Sequence, residues 1–269
     1  MNRSYQYDRP IPVADGIFWV GFHEEKTNLH CNPYLLVEGD QAVLIDGGSR
    51  PDFAVVMMKI LQAGLQPGQI TALIYHHYDP DLCGSMPNLV DIIDNPALKI
   101  FSDPLDRVFL TYYLGKENHP LLKTVNFSER GYTFNSRKLR FIRTPFCHNA
   151  SSFMTYDTKT KVLFTSDLFG SFSKTWDLYI NLSPGCYTCR DYQNCPNRRT
   201  YCPLPDILSF HRRIMPSGKA LKYAMDQIRP LDIDVIAPQH GGIISKKEDI
   251  AFLIDKLANL ERVGIDAYL

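Results

Sequence analysis

A short apolar strand, Ala72 to Tyr75, runs straight into His76-His77-Tyr78-Asp79-Pro80-Asp81, and this junction restricts the chain more than any other feature. His77, Asp79 and Asp81 alternate along it, a spacing that suits an irregular turn whose side chains converge on one point. Asp-Pro-Asp alone is compatible with an ordinary turn. What raises it above that is recurrence. Leu139 to Ile142 reads as a strand leading into Pro145-Phe146-Cys147-His148. Val162 to Thr165 leads into Ser166-Asp167-Leu168-Phe169-Gly170, and Ile233 to Ala237 into Pro238-Gln239-His240-Gly241-Gly242. A lone histidine after a strand is more often a surface or core residue than a ligand. Four such segments, in order, each at the end of a strand that can hold a loop rigidly, make a site.

The rest of the chain supplies the framework. Ile17 to Gly21 reads as a strand, and Pro33 to Val37 with Ala42 to Ile45 as a hairpin around Gly39-Asp40. An amphipathic helix is expected after Pro51, with Phe53, Val56, Met57, Ile60 and Leu61 on one face, ending at Leu65-Gln66-Pro67-Gly68. Residues from Asp206 to Arg229 read as two helices broken near Pro216. A last helix carries Ile250, Leu253, Ile254, Leu257 and Leu260 on one face. Strands and helices mixed in this way indicate an α/β layered architecture, expected as a single domain over residues 1–269. Asp46, in Leu44-Ile45-Asp46-Gly47-Gly48, reads as a structural residue fixing the loop below the site.

His77, Asp79, Asp81, His148, Asp167 and His240 offer three imidazoles and three carboxylates. Three aspartates balance most of the charge on two divalent ions, and one bound hydroxide brings the site near neutrality. This donor set suits iron, manganese or zinc, and the carboxylate share favours iron because hard anionic oxygens stabilise the ferric state.

The order LIDGG, HxDxD followed by GS, PFCH, TSDLFG and APQHGG resembles the metallo-β-lactamase superfamily, and within it the diiron domain of flavodiiron proteins and the related oxygen-binding diiron proteins. The resemblance extends over nearly the whole chain, including Gly16-Ile17-Phe18-Trp19-Val20-Gly21. It implies an αββα four-layer sandwich holding two irons: His77, Asp79 and His148 on one, Asp81 and His240 on the other, and Asp167 bridging. The middle position of the first motif, Asp79, is a carboxylate, as in the iron-binding branch, where hydrolases have histidine. The last histidine of the family motif falls on Leu82, so the second iron is expected to lack a nitrogen and to have an open or water-filled position. His76 is expected to point to the other side of the strand end. About thirty residues follow His240, too few for the flavodoxin-like domain that feeds electrons to the family's reductases. The resemblance therefore implies O2 or NO binding, with an oxygen or redox sensor expected first. A flavodiiron-like O2/NO reductase and a dizinc hydrolase are the alternatives, Asp79 and Leu82 speaking against the last.

Of seven cysteines, Cys186, Cys189, Cys195 and Cys202 fall within one insertion at about residues 183–205, as C-x2-C-x5-C-x6-C. Such clustering reads as metal binding. Cys195 and Cys202 precede proline, as cysteines do in ferredoxin-type runs, which favours a [4Fe–4S] cluster that supplies electrons over a structural zinc. Cys31, Cys83 and Cys147 read as small buried hydrophobes. Tyr78, Phe146, Phe169 and Tyr187 are candidates for the wall of an apolar gas pocket.

Lys+Arg and Asp+Glu both number 29, so neither nucleic acid nor an anionic membrane is expected as a partner. No apolar run approaches the roughly 20 residues that span a bilayer, and the N-terminus has no secretory apolar core. A cytoplasmic homodimer is expected, with a signalling output domain or a redox partner.

Overall fold

The computed structural model describes residues 5–22, 29–173, 175–190, 192, 195 and 201–269. These form two compact units. The first takes residues up to 22, 30–141 and 157–160, the second residue 29, residues 142–156 and the described residues from 161 onward.

The first unit is built on a seven-stranded sheet in sequence order: β1 (Ile11–Ala14), β2 (Ile17–Trp19), β3 (Tyr34–Glu38), β4 (Gln41–Ile45), β5 (Ile70–Ile74), β6 (Lys99–Ser102) and β7 (Leu122–Thr124). The hairpin expected around Gly39-Asp40 forms, with Glu38 opposite Gln41. Gly39 takes a positive φ of 62° there, which glycine adopts without a Cβ penalty. β2 ends at Trp19, two residues earlier than expected. Pro33, next on the opposing strand, has no N–H to donate, and the pairing continues only irregularly, through the Val20 N–H to the Pro33 carbonyl at 3.0 Å and the Phe22 N–H to the Cys31 carbonyl at 3.5 Å.

The expected helix forms over Phe53–Gln62 and carries the chain from β4 to a parallel β5. Its buried stripe is Val56, Met57, Lys59 and Ile60, and Leu61 lies on its flank, 48% exposed. Lys59 is drawn inward because its ammonium lies over the Trp19 ring, Nζ 4.1 Å from the centroid, and donates to the Gly21 carbonyl. Burial lowers its pKa to about 8. β8 (Tyr132–Phe134) and β9 (Arg137–Arg143) form a further antiparallel pair. Arg137, fully buried, donates to Asp157 at 3.0 Å, Glu38 at 3.2 Å and the Asp15 carbonyl at 2.7 Å.

The second unit has the strand order β12-β14-β13-β11-β10, with β10 (Phe153–Asp157), β11 (Val162–Phe164), β12 (Tyr179–Ile180), β13 (Val235–Ala237) and β14 (Ile243–Ile244). The two helices expected around Pro216 run over Leu204–Ile214 and Gly218–Ile228, and the last over Lys247–Ala258. Ser217 caps the second of them, its hydroxyl accepting the Ala220 N–H. Leu208, Phe210, Leu221, Met225, Leu253 and Leu257 from these helices share one apolar cluster with Leu163 and Ile236 of the sheet. Among the described residues, no helix is long and apolar enough to cross a membrane.

Candidate metal centre

In each unit a pair of adjacent parallel strands presents candidate ligands at its C-terminal edge. In the first unit β4 and β5 run parallel with Ile45 opposite Ile74, so the residues that follow them are neighbours. Asp46 takes a positive φ of 50° and turns back onto His76. Its carboxylate accepts the His76 backbone N–H at 3.0 Å and meets His76 Nδ1 at 2.6 Å. Asp46 is thus the structural residue expected, and His76 is committed to it.

One residue on, His77 is buried, with Nε2 3.6 Å from Asp79 Oδ2. Asp79 opens the short helix Pro80–Cys83, and its carbonyl accepts the N–H groups of Leu82 and Cys83. The Gly47-Gly48 loop clasps the other end of this turn, through Ser85 Oγ to the Gly47 carbonyl at 2.8 Å and Ser85 N to the Gly48 carbonyl at 3.0 Å. Leu82 is fully buried in the apolar cluster of the unit. Cys31 Sγ lies within 4.8 Å of an Asp81 carboxylate oxygen, a juxtaposition that gives no signal in the sequence, since the two are fifty positions apart. Cys83 is the small buried residue expected. Burial and then the charges of Asp46, Asp106, Asp81 and Asp79 push its thiol pKa up, and the S–H donates to the His77 carbonyl at 3.3 Å.

In the second unit β11 and β13 are parallel with Phe164 opposite Ala237. The ladder continues irregularly through Thr165 N to Ala237 O at 3.2 Å and Gln239 N to Ser166 O at 2.8 Å, which sets Asp167 beside His240. The loop before β10 closes on itself through Cys147 N to Thr144 O at 3.0 Å and Phe146 N to Asn149 O at 2.7 Å, and carries His148. Asp167 stands between the two imidazoles, with Oδ2 3.0 Å from His148 Nε2 and Oδ1 3.6 Å from His240 Nε2. Asp167 thus presents one carboxylate oxygen to each histidine. Burial and the charge of Asp167 push the Cys147 thiol pKa up to about 12, and its S–H donates to the Ala220 carbonyl at 3.4 Å.

The turn after Asp167 is fixed by a residue the sequence did not single out. His211, fully buried, accepts the Phe169 N–H at Nε2, 2.9 Å away, and its Nδ1 lies 2.7 Å from the Ile207 carbonyl. These partners require the neutral imidazole with the proton on Nδ1. Burial lowers its pKa to about 4. The aromatic surroundings also differ from expectation. Phe172 and Phe210 flank His240 with centroids 6.2 and 6.1 Å from its ring. Phe146 is 55% exposed and has a positive φ of 63°. Tyr78 is stacked on Phe109 at 4.2 Å, Tyr187 donates to Asp249 at 2.6 Å, and Phe169 is fully buried in the core.

Of the cysteine-rich segment, residues 191, 193–194 and 196–200 lie outside the described residues, while all four cysteines lie within them. Cys186 is buried in the turn Pro184–Tyr187, with the Ser183 N–H 3.5 Å from its sulfur. The Cys202 thiol pKa is raised by burial and then by the charges of Cys186, Cys195 and Cys189, against a lowering by the Leu204 N–H.

A family model described as ODP family beta lactamase matches residues 29–241. The chain belongs to this ODP family. Among curated proteins it is similar to type A flavoprotein fprA of Rhodobacter capsulatus, 25% identical over 87% of this chain and 52% of that protein. It is also similar to the anaerobic nitric oxide reductase flavorubredoxin of an Enterobacter species, 30% identical over 60% of this chain and 35% of that protein. The chain spans between about a third and six-tenths of the length of the curated relatives it matches. A structure of the chemotaxis sensor ODP, described as a peroxy diiron species, superposes with a TM-score of 0.71 at 22% identity, covering 94% of this chain and 93% of that one. Rubredoxin oxygen:oxidoreductase from Desulfovibrio gigas gives a TM-score of 0.77 at 18% identity, over 93% of this chain and 61% of that one. The fold of this ODP-family chain is thus the metallo-β-lactamase-type one expected, with two sheets flanked by helices.

Proposed function

We propose that this chain is a non-heme diiron protein that binds O2 or NO and serves as an oxygen or redox sensor. The observation that carries the reading is Asp167, which turns one oxygen toward His148 and the other toward His240. His77, Asp79 and His148 would hold one iron and Asp81 and His240 the other, with Asp167 between them, in a single domain that the family match from residue 29 to residue 241 runs through. The donor set fits iron: imidazole nitrogens with hard carboxylate oxygens, several of them on backbone fixed by parallel strand ends. Bound iron would supply the electrons and the open coordination that a diatomic ligand needs. The chain's own part is positional. Asp46 keeps His76 off the site, His211 fixes the turn after Asp167, and Phe172 and Phe210 border His240 with apolar surface that disfavours water.

Leu82, standing where the family motif has its last histidine, favours binding of the gas over its turnover. Reduction of O2 or NO is the second reading, supported by the flavorubredoxin similarity. The four cysteines would hold a [4Fe–4S] cluster that exchanges electrons with the diiron centre, with zinc as the alternative. The clustering of the four cysteines between residues 186 and 202 of the sequence is what supports this reading. The protein would act in the cytoplasm as a homodimer coupled to an output domain or redox partner.

Asp167→Ala tests the ligand assignment. About two non-cluster irons per chain are expected in the native protein, and much of the paired occupancy should vanish in the variant. Full occupancy of both sites in Asp167→Ala, measured by metal analysis, would show that this carboxylate is no bridge.

A further inference from the structure

We infer that Cys31 is a thiolate ligand of the ion held by Asp81, filling the place that Leu82 leaves without a nitrogen. The inference rests on the dinuclear reading above and adds to it a ligand that the family motif does not contain.

Three observations within the first unit support it. Cys31 Sγ and an Asp81 carboxylate oxygen lie within 4.8 Å of each other. Two ligands of one ion lie no farther apart than the sum of their bonds, about 2.3 Å to sulfur and about 2.1 Å to oxygen, or about 4.4 Å, a separation that falls within this bound. Leu82, where the family motif has its last histidine, is fully buried among Leu89, Met86, Tyr75 and other apolar side chains, so that position is closed by packing. Cys31 is also held firmly. The adjacent Asn32 is fully buried and accepts the Trp19 indole N–H at 2.8 Å, and the Val20 N–H bonds the Pro33 carbonyl at 3.0 Å. On the segment alongside, the Gly21 carbonyl accepts a hydrogen bond from the Lys59 ammonium. A ligand on such a fixed segment loses little freedom on binding an ion. The other two single cysteines are accounted for differently, Cys83 and Cys147 both being neutral donors to carbonyls.

The chemistry differs from that of the missing imidazole. On coordination the Cys31 S–H bond breaks, its proton goes to bulk water, and a sulfur–metal bond forms with no change in oxidation state. With Asp79, Asp81 and Asp167 the protein then supplies four negative charges, which match two divalent ions without a hydroxide. A thiolate also gives a charge-transfer absorption that nitrogen and oxygen ligands lack.

The test uses the full chain, stripped of metal, refilled anaerobically with Co(II), and compared with Cys31→Ser and Cys31→Ala. The wild-type minus Cys31→Ser difference spectrum should contain a near-ultraviolet thiolate-to-cobalt band, which separates Cys31 from the four clustered cysteines. Cys31→Ala should bind the weaker of its two non-cluster ions about tenfold or more less tightly. Cys31→His should recover the second ion without recovering the band. Melting curves check that each variant folds, and Cys31→Ser, which keeps size and polarity, decides the matter if the alanine variant does not. A flat difference spectrum with equal ion uptake in all variants overturns the Cys31 assignment and leaves the dinuclear reading standing. Failure of the wild-type protein itself to take up two non-cluster ions overturns both.

Discussion

At the residue scale, His211 shows how a side chain outside the ligand set governs it. Its folded pKa of about 4 lies below the ordinary 6.5 because burial disfavours the imidazolium. Between those values the unfolded chain holds a proton that the folded chain does not. The contribution of His211 to stability is therefore full above about pH 6.5 and declines as pH falls toward about 4, by an amount on the order of 3 kcal/mol. Urea midpoints measured across this window should fall less steeply in His211→Gln than in the wild type. Parallel curves for the two proteins would show that His211 is not the titrating group. Leu82 makes the opposite case. Introducing histidine there places a polar ring in a sealed apolar cluster, and a loss of about 1–3 kcal/mol is expected from the unsatisfied nitrogen, read as a lowered urea midpoint.

At the scale of elements, the same device appears twice. β4 with β5, and β11 with β13, are parallel neighbours in register, and the residues just past their ends are brought side by side. This much was legible in the sequence, because buried strands ending in His or Asp are visible as apolar runs followed by the motif. The hairpin at Gly39-Asp40 and the helix break at Pro216 were legible for the same local reason. What joins distant positions was not. Cys31 meets Asp81, and His211 meets Phe169, through folding of segments tens of residues apart, and neither contact leaves a periodicity or spacing to read. The exposure of Phe146 was not legible either, since adjacency to a histidine says nothing about burial. Arg137 was equally invisible. It joins Glu38, Asp15 and Asp157 from three separate segments of the first unit, and Asp157 is fully buried with it. Removing one partner of such a pair leaves an uncompensated charge, so Arg137→Ala should lose about 3–5 kcal/mol in equilibrium unfolding. A loss under about 1 kcal/mol, the range of exposed pairs, would mean that solvent reaches the site.

At the scale of the whole molecule, the chain combines a fold shared with both reductases and a sensor, an iron-suited donor set, and a cysteine segment that the six-ligand motif does not include. Cys189→Ser should remove the brown colour expected of a [4Fe–4S] cluster while sparing the iron bound by imidazole and carboxylate. One tightly held zinc with no acid-labile sulfide in the native protein would instead make the segment a structural staple. The central claim is narrower, that the six His and Asp residues hold iron which meets a diatomic gas. Metal analysis of anaerobically purified protein, followed by optical and Mössbauer spectra before and after exposure to O2 or NO, tests it directly. The account predicts about two non-cluster irons per chain, magnetically coupled, with spectra that change on exposure to the gas. Two zinc ions and spectra indifferent to both gases would contradict it.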